Sequence, residues 1–454
     1  MESIYENCSM HVLSLRNVAA TNQRFLPISR SLRQSAEMFR MLLLATSAAV
    51  AFCSCSRQQQ RVAGPIEQDV YVWQRLWTSQ VLDAISRFGT NFTAVVALNA
   101  EVTWQNGGPS LTHVPIDWGG LRAQGRAVGL ALRVGPFAGP GRVEDGPGRS
   151  LVRIAQSLVA EARTNHVSVS ELQIDFDCAE SGLDAYRVWV AGVRAAIRPI
   201  PLTITTLPSW LKHAAFTRLV AATDGFVLQV HSLEHPEGAG AGFSLCNPRL
   251  ARQAVERAAR VGIPFRVALP TYGYVLAFDP AGKFVGLSAE GPARAWPADS
   301  LAREVRAQPE DMAGLVREWT RDRPRTLRGL IWYRLPVAGD RLNWSWPTLA
   351  SVMAGKVPLA KLRYQLQQPQ PGLAEIELIN DGDGDYEGAI QLKARWSDAR
   401  LIASDAWIGV RATDERSDSL RFEARTLRLP AGEQRSLGWL RLDKETDVHI
   451  ETVP

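Results

Sequence analysis

Eight apolar runs spaced through the middle of the chain constrain its fold more than any other feature. They cover residues 70–77, 93–101, 127–135, 169–178, 201–210, 225–232, 264–274 and 326–336. Many are continuously apolar rather than alternating, as strands buried on both faces of a parallel sheet should be. Between several of them apolar residues recur at helical spacing. Val81, Leu82, Ile85 and Phe88 form one stripe, with Thr78 or Ser79 as its cap and Gly89 as its stop. Tyr186, Val190, Val193 and Ile197 form another. Strand and crossover helix, repeated eight times over roughly 270 residues, predict a (β/α)8 TIM barrel. A doubly wound open sheet is the alternative. It lacks a glycine-rich first turn, because Gly238-Ala239-Gly240-Ala241-Gly242 follows the sixth run and opens no helix.

From about residue 361 the texture changes. Segments 373–379, 389–396, 401–410, 420–429, 436–442 and 447–453 show partial period-two alternation between turn residues, which predicts a C-terminal β-sandwich. The expected division is therefore an N-terminal segment over 1–60, a barrel over 61–360 and a β-sandwich over 361–454. Of the 454 residues, 46% are hydrophobic, enough for large packed cores. The net charge is +5, but the arginines alternate with acids, so solvated faces are expected and no nucleic-acid partner.

The N-terminal segment has the pattern of a targeting signal. Met38-Phe39-Arg40 supplies a start and a positive charge, and residues 41–52 an apolar stretch too short to span a membrane. Cys53-Ser54-Cys55 follows. This resembles a bacterial lipoprotein signal with Cys55 as the lipid-bearing residue, although Phe52 stands where such signals favour Leu. It implies export and lipid anchoring in the envelope, with Ser56 suiting the periplasmic face of the outer membrane. A cleaved signal or plain membrane anchor is the alternative. Export permits disulfides, and Cys178 and Cys246 are either one bridge or two buried thiols.

In a barrel, chemistry collects at the C-terminal strand ends. Those ends offer Gln74 and Arg75, Asn99 and Glu101, Asp175 and Asp177, Gln229 and His231, Tyr272 and Tyr274, and Trp332 and Arg334. Within Leu172-Gln173-Ile174-Asp175-Phe176-Asp177-Cys178 the two aspartates are spaced by two, so a strand puts both on one face. Two close acids repel, one pKa rises, and a protonated acid can protonate a glycosidic oxygen. Carboxylates, amides and aromatic rings together suit a sugar site.

Pro264-Phe265-Arg266-Val267-Ala268-Leu269-Pro270-Thr271-Tyr272-Gly273 resembles the seventh strand of chitinase-type (family eighteen) glycoside hydrolases, and Gly329-Leu330-Ile331-Trp332 their eighth. The resemblance implies that Tyr272 and Trp332 line the sugar cleft. The fourth strand is similar to the family's D-x-x-D-x-D-x-E motif but departs from it. In one alignment Asp177 takes the place of the terminal Glu, Asp175 the neighbouring Asp and Gln173 an earlier one. In the other, Ala179 falls on the Glu position and Glu180 is out of phase. Over about residues 69 to 450 the chain resembles a bacterial barrel family described only as a domain of unknown function (number 3142), which implies barrel plus β domain.

These readings converge on an O-glycosyl hydrolase acting on a polysaccharide or oligosaccharide. Asp177 would be the acid/base and Asp175 its partner, with Glu101 as the alternative second carboxylate. Gln173, Gln229, His231, Tyr272, Trp332 and Arg334 would shape the sugar site. Substrate-assisted retention, with Asp175 orienting an acetamido group, is one outcome; the stereochemistry stays open. The alternative is a catalytically inactive glycan-binding or scaffold lipoprotein. No cofactor is needed. His231-Ser232-Leu233-Glu234-His235 matches an H-x-x-E-H metal string, but it follows a strand and meets Pro236 instead of forming a helix. Asp381-Gly382-Asp383-Gly384-Asp385 resembles a calcium loop, but Tyr386 and Leu392 stand where Gly and Glu belong. A solvated hairpin turn after Asn380 is expected there instead, and no metal.

Overall fold

A computed structural model describes residues 60–105, 108–135, 137, 146–233, 236, 238–289 and 296–452. The expectations for Met38, Cys55 and the rest of the N-terminal segment, and for Glu234 and His235, lie outside those residues. Eight parallel strands form the barrel: β1 (Glu67–Val72), β2 (Ala94–Gln105), β3 (Ala127–Val134), β4 (Val169–Phe176), β5 (Leu202–Thr206), β6 (Gly225–Gln229), β7 (Phe265–Pro270) and β8 (Leu327–Tyr333). Each pairs with the next in sequence, and β8 returns to β1 with Trp332 opposite Val70. Closure leaves the eight parallel strands without a free edge among them.

A helix follows each strand. Ser79–Phe88 buries Val81, Ala84 and Ile85, and Phe88 stacks on Trp346 of the last helix at 4.3 Å and 11°. That contact covers the seam where β1 meets β8. Thr78 occupies the cap position, but its hydroxyl makes no capping bond. Gly89 does not stop the chain by left-handed geometry. Its φ is −54°, the helix runs on into a short turn, and a Cβ there would lie 2.9 Å from Gln124 Oε1. Close approach, not backbone freedom, selects that glycine.

Period-two alternation divides each strand between two cores. On β4, Leu172, Ile174 and Phe176 pack outward under the helices. The other phase faces the axis, where Tyr71, Val96, Leu98, Ala131, Val227, Ala268 and Ile331 pack as one inner cluster. Below them the barrel floor is charged. Arg266 of β7 donates to Asp69 of β1 at 2.7 Å and to both oxygens of Glu171 of β4 at 2.6 and 2.7 Å. Thr203 and Gln173 also donate to Glu171, at 2.8 and 2.9 Å, and Tyr71 donates to Gln173 at 2.7 Å. Gly129 makes room for this cluster: a Cβ there would meet Val96 at 3.0 Å and Glu171 at 3.1 Å.

The seventh apolar run predicts one strand over 264–274, but β7 ends at Pro270. The chain then turns out into an antiparallel sheet of Gly273–Phe278, Phe284–Ser288 and Leu301–Arg306. Thr271 makes the corner. Its amide donates to the Tyr333 carbonyl at 2.8 Å and its hydroxyl to the Arg334 carbonyl at 2.6 Å. Gly273 is required because a Cβ would lie 2.6 Å from the Val305 carbonyl across the new sheet.

The C-terminal domain is two four-stranded antiparallel sheets closing on one apolar core that includes Ile376, Leu392, Phe422 and Leu440. Two of its strands, Leu362–Gln370 and Arg411–Arg416, went unread because glutamine and charge mask their alternation. The turn after Asn380 is not a hairpin. It carries the chain from Leu373–Asn380 in one sheet to Tyr386–Trp396 in the other. Its acids fasten the domain to the barrel. Asp383 accepts from the Leu359 amide (2.8 Å) and Ser351 Oγ (2.7 Å), and Asp385 from the Ser345 and Ala431 amides (both 3.0 Å). Among the described residues no cluster of His, Cys, Asp and Glu could hold a metal ion, and no helix is long and apolar enough to cross a membrane. Cys178 and Cys246 are separate buried thiols, each pushed up to about 12 by burial.

Candidate active site

β4 delivers the acid pair because its inward phase, Glu171, Gln173, Asp175, continues one step past the strand end to Asp177. Asp175 is half-buried and accepts the Thr205 hydroxyl of β5 at 2.7 Å. In the β3–β4 register it lies opposite Arg133. Asp177 is reachable by solvent and accepts no hydrogen bond among the described residues. Its carboxyl is nevertheless pushed up to about 6. Crowding by the barrel mouth is the main cause and the Asp175 charge adds to it, while Arg133 opposes both.

Charge alternates around the mouth from β1 to β4. Arg75 forks onto Glu101 at 2.6 and 2.8 Å, Arg133 approaches Glu101 at 3.9 Å, and Asp175 follows. Glu101 is thus shared between two guanidiniums rather than free as a second catalytic carboxylate. Beside this arc, aromatic rings fill the axis. Tyr333 meets Trp73 at 5.4 Å, Tyr71 at 5.8 Å, Tyr272 at 5.2 Å and His231 at 5.6 Å. His231 is sealed in, and burial lowers it to about 3, so it is a neutral ring at physiological pH and no acid/base. Tyr272 shares hydrogen bonds with His231 Nδ1 at 3.3 Å and Tyr274 at 2.9 Å.

Several expected sugar contacts are therefore corrected. Gln173 is fully buried in the barrel interior between Tyr71 and Glu171. Trp332 is also fully buried. It faces the helix layer, donates to Gln68 at 2.9 Å and packs near Trp344, because the inward phase of β8 is Gly329, Ile331, Tyr333. Arg334 is buried and committed to Asp340 at 2.5 Å. Tyr272 and His231 point among the rings but are closed off from solvent. Gln229 is half-buried, with its amide on the His231 carbonyl at 3.2 Å. Glu180 binds His213 at 2.5 Å and Lys212 at 3.0 Å, which hold it below the usual carboxylate range against the upward pull of burial. Sequence reasoning missed Arg133, Thr205, Trp73 and Tyr333. Counting by twos from Gly129, Thr203, Asp69 and Gly329 would have found them.

Residues 148–338 match the family described as Domain of unknown function (DUF3142), as the sequence resemblance led us to expect. No curated protein matches the chain. Similar solved structures include the spore cortex-lytic enzyme SleL of Bacillus megaterium QM B1551, at 13% identity and TM-score 0.46, covering 65% of this chain and 75% of that one. A chitinase from Chromobacterium violaceum ATCC 12472 aligns at 15% identity and TM-score 0.46, covering 64% of this chain and 98% of that one. A chitinase from Bacteroides thetaiotaomicron aligns at 13% identity and TM-score 0.44, covering 61% and 93%.

Proposed function

We propose that this barrel hydrolyses a polysaccharide at its mouth, with Asp177 as proton donor. The observation that carries the reading is the solvent-reachable Asp177 carboxyl, pushed up to about 6 beside Asp175. Near neutral pH such an acid holds its proton in a useful fraction of molecules. The proton passes to the glycosidic oxygen as the bond to the anomeric carbon breaks. Asp175, held by Thr205, faces the positive charge that develops there. Water then adds to the anomeric carbon and gives up a proton to a carboxylate. We further infer export and lipid attachment at Cys55, with the barrel in the periplasm, from the N-terminal sequence alone.

A second reading, glycan binding without turnover, draws support from the ring cluster. Trp73, His231 and Tyr272 are buried, whereas Asp177 is exposed and Tyr333 half-buried. One experiment separates the two. Full-length protein and Asp177→Asn are incubated with bacterial envelope polysaccharides and chitin-type oligomers, and reducing ends are counted. Release by the wild type, reduced at least ~10²-fold in Asp177→Asn, supports hydrolysis. Equal release from both proteins refutes the assignment of the acid. Binding without release moves the case to the second reading.

A further inference from the structure

The outer face of one C-terminal sheet carries a row of side chains that the domain core does not use. The sheet orders its strands as Leu362–Gln370, Leu373–Asn380, Gln434–Leu442 and Leu401–Ala406. Its inward phase runs Leu366, Ile376, Gly438 and Ala406, each directly opposite the next. A Cβ on Gly438 would lie 2.5 Å from the Phe422 ring of the core. One step along, the outward phase runs Gln367, Glu375, Trp439 and Asp405, again each opposite the next. Opposite residues on antiparallel strands share a face. Four strands therefore set one indole between two carboxylates, with an amide beyond.

Trp439 is half-buried, belongs to none of the apolar clusters, and its indole N–H has no acceptor among the described residues. Glu375 and Asp405 are exposed, and neither enters an ion pair among the described residues. Asp405 accepts the amide of Ala406 at 2.8 Å. The arginines on the strand of Trp439 answer uncharged oxygens instead: Arg441 donates to Gln370 Oε1 at 3.2 Å and Arg435 to the Ile408 carbonyl at 2.7 Å. At the sheet edge Trp407 continues the outward phase of Asp405. Its amide still donates to the Leu437 carbonyl at 3.0 Å, and it is 57% exposed. A second indole thus stands diagonal to Trp439 on the same face.

We infer that this face binds a neutral polysaccharide chain, apart from the barrel mouth. A pyranose ring offers apolar C–H groups on its face and hydroxyl donors at its rim. The first match the Trp439 indole, and the second match the acceptor-only carboxylates of Glu375 and Asp405. A sugar oxygen gives the indole N–H its acceptor. The same two carboxylates select against other occupants. They repel a sugar acid or the phosphates of a lipid surface, and an apolar protein patch would bury them without partners. The inference does not rest on the reading of the mouth, because the face holds the polymer whether or not the barrel cleaves it.

The test is co-sedimentation of full-length wild type, Trp439→Ala, Trp439→Phe and Tyr333→Ala with chitin and with cellulose, both neutral, and with vesicles of anionic phospholipid. The wild type should be retained by at least one of the two polysaccharides. Trp439→Ala should weaken that retention at least ~10-fold. Trp439→Phe keeps part of the ring, so a smaller loss is expected, and it maintains the test if Trp439→Ala fails to fold. Release of reducing ends from chitohexaose, a short soluble oligomer, should be the same in wild type and Trp439→Ala. Retention that survives both Trp439 variants but is lost in Tyr333→Ala belongs to the mouth and overturns the inference while the mouth reading stands. Retention lost in the Trp439 variants but kept in Tyr333→Ala supports the inference even if no reducing ends are released. A wild type held by neither polysaccharide, or vesicle binding that depends on Trp439, overturns it.

Discussion

Asp69→Asn offers the most quantitative check on how this barrel is built. The floor holds two carboxylates, Asp69 and Glu171, against one guanidinium, Arg266, and all three are largely buried. Glu67, at the start of the same strand, adds a further negative charge nearby. Arg266 stays charged between its two acids, so the surplus negative charge must be relieved at a carboxylate. Burial pushes Asp69 up to about 6 from 3.8, against the pull of Arg266 and with smaller additions from Glu171 and Glu67. Because the native pKa lies above the unfolded one, the folded protein binds more protons between about pH 4 and pH 6. The stability from this group is therefore present at low pH, falls through that window and is flat above it. Two pKa units correspond to about 3 kcal/mol at neutral pH, an upper figure for a buried group whose surroundings can relax. Asparagine keeps an oxygen to accept from Arg266, at the 2.7 Å contact, without the charge. Asp69→Asn should then match the wild type near pH 4 and exceed it by on the order of 1–3 kcal/mol at pH 7.5. Urea unfolding of both proteins across that range measures the difference. A variant less stable than the wild type at pH 7.5, or a difference that ignores pH, refutes the argument by showing that attraction to Arg266 outweighs desolvation.

Further expectations follow from the mouth and its surroundings. Turnover that uses protonated Asp177 should fall as pH rises through about 6. Asp177→Asn should not lower thermal stability at pH 7.5, because the ionised form is the disfavoured one in the folded state; a large drop in midpoint would contradict the assigned direction of its shift. Trp332→Phe should lose ~1–3 kcal/mol by leaving Gln68 Oε1 without its donor, and leave glycan affinity unchanged. Tyr333→Ala should weaken that affinity, and the opposite pattern in titrations of the two variants would reverse their placement. Metabolic labelling with palmitate should mark the wild type but not Cys55→Ser; equal labelling would remove the lipid anchor.

The sequence alone carried the architecture because burial on both sheet faces writes long apolar runs, and helical stripes between them need only local spacing. All eight barrel strands overlap those runs, and β4 and its two aspartates were legible for the same reason. Strand ends were not legible. A run such as 264–274 stays apolar while the chain leaves the barrel at Thr271, since the outgoing sheet is also buried. Phase at the mouth was equally hidden: Trp332 and Tyr333 are neighbours of similar character, and only the packing of β8 turns Tyr333 inward and Trp332 out under the helices.

The charged groups mark the same division. Asp175 and Asp177 were found because they stand two positions apart at the end of one strand. Asp69, Glu171 and Arg266 belong to β1, β4 and β7, and nothing local links them until barrel closure brings them within hydrogen-bond distance. Arg133 and Glu101 were likewise set on neighbouring strands by register alone. Periodicity records which side of its own element a residue occupies. Which residues meet across the axis, and so which acid is paired and which is left to hold a proton, is decided by the closed tertiary structure.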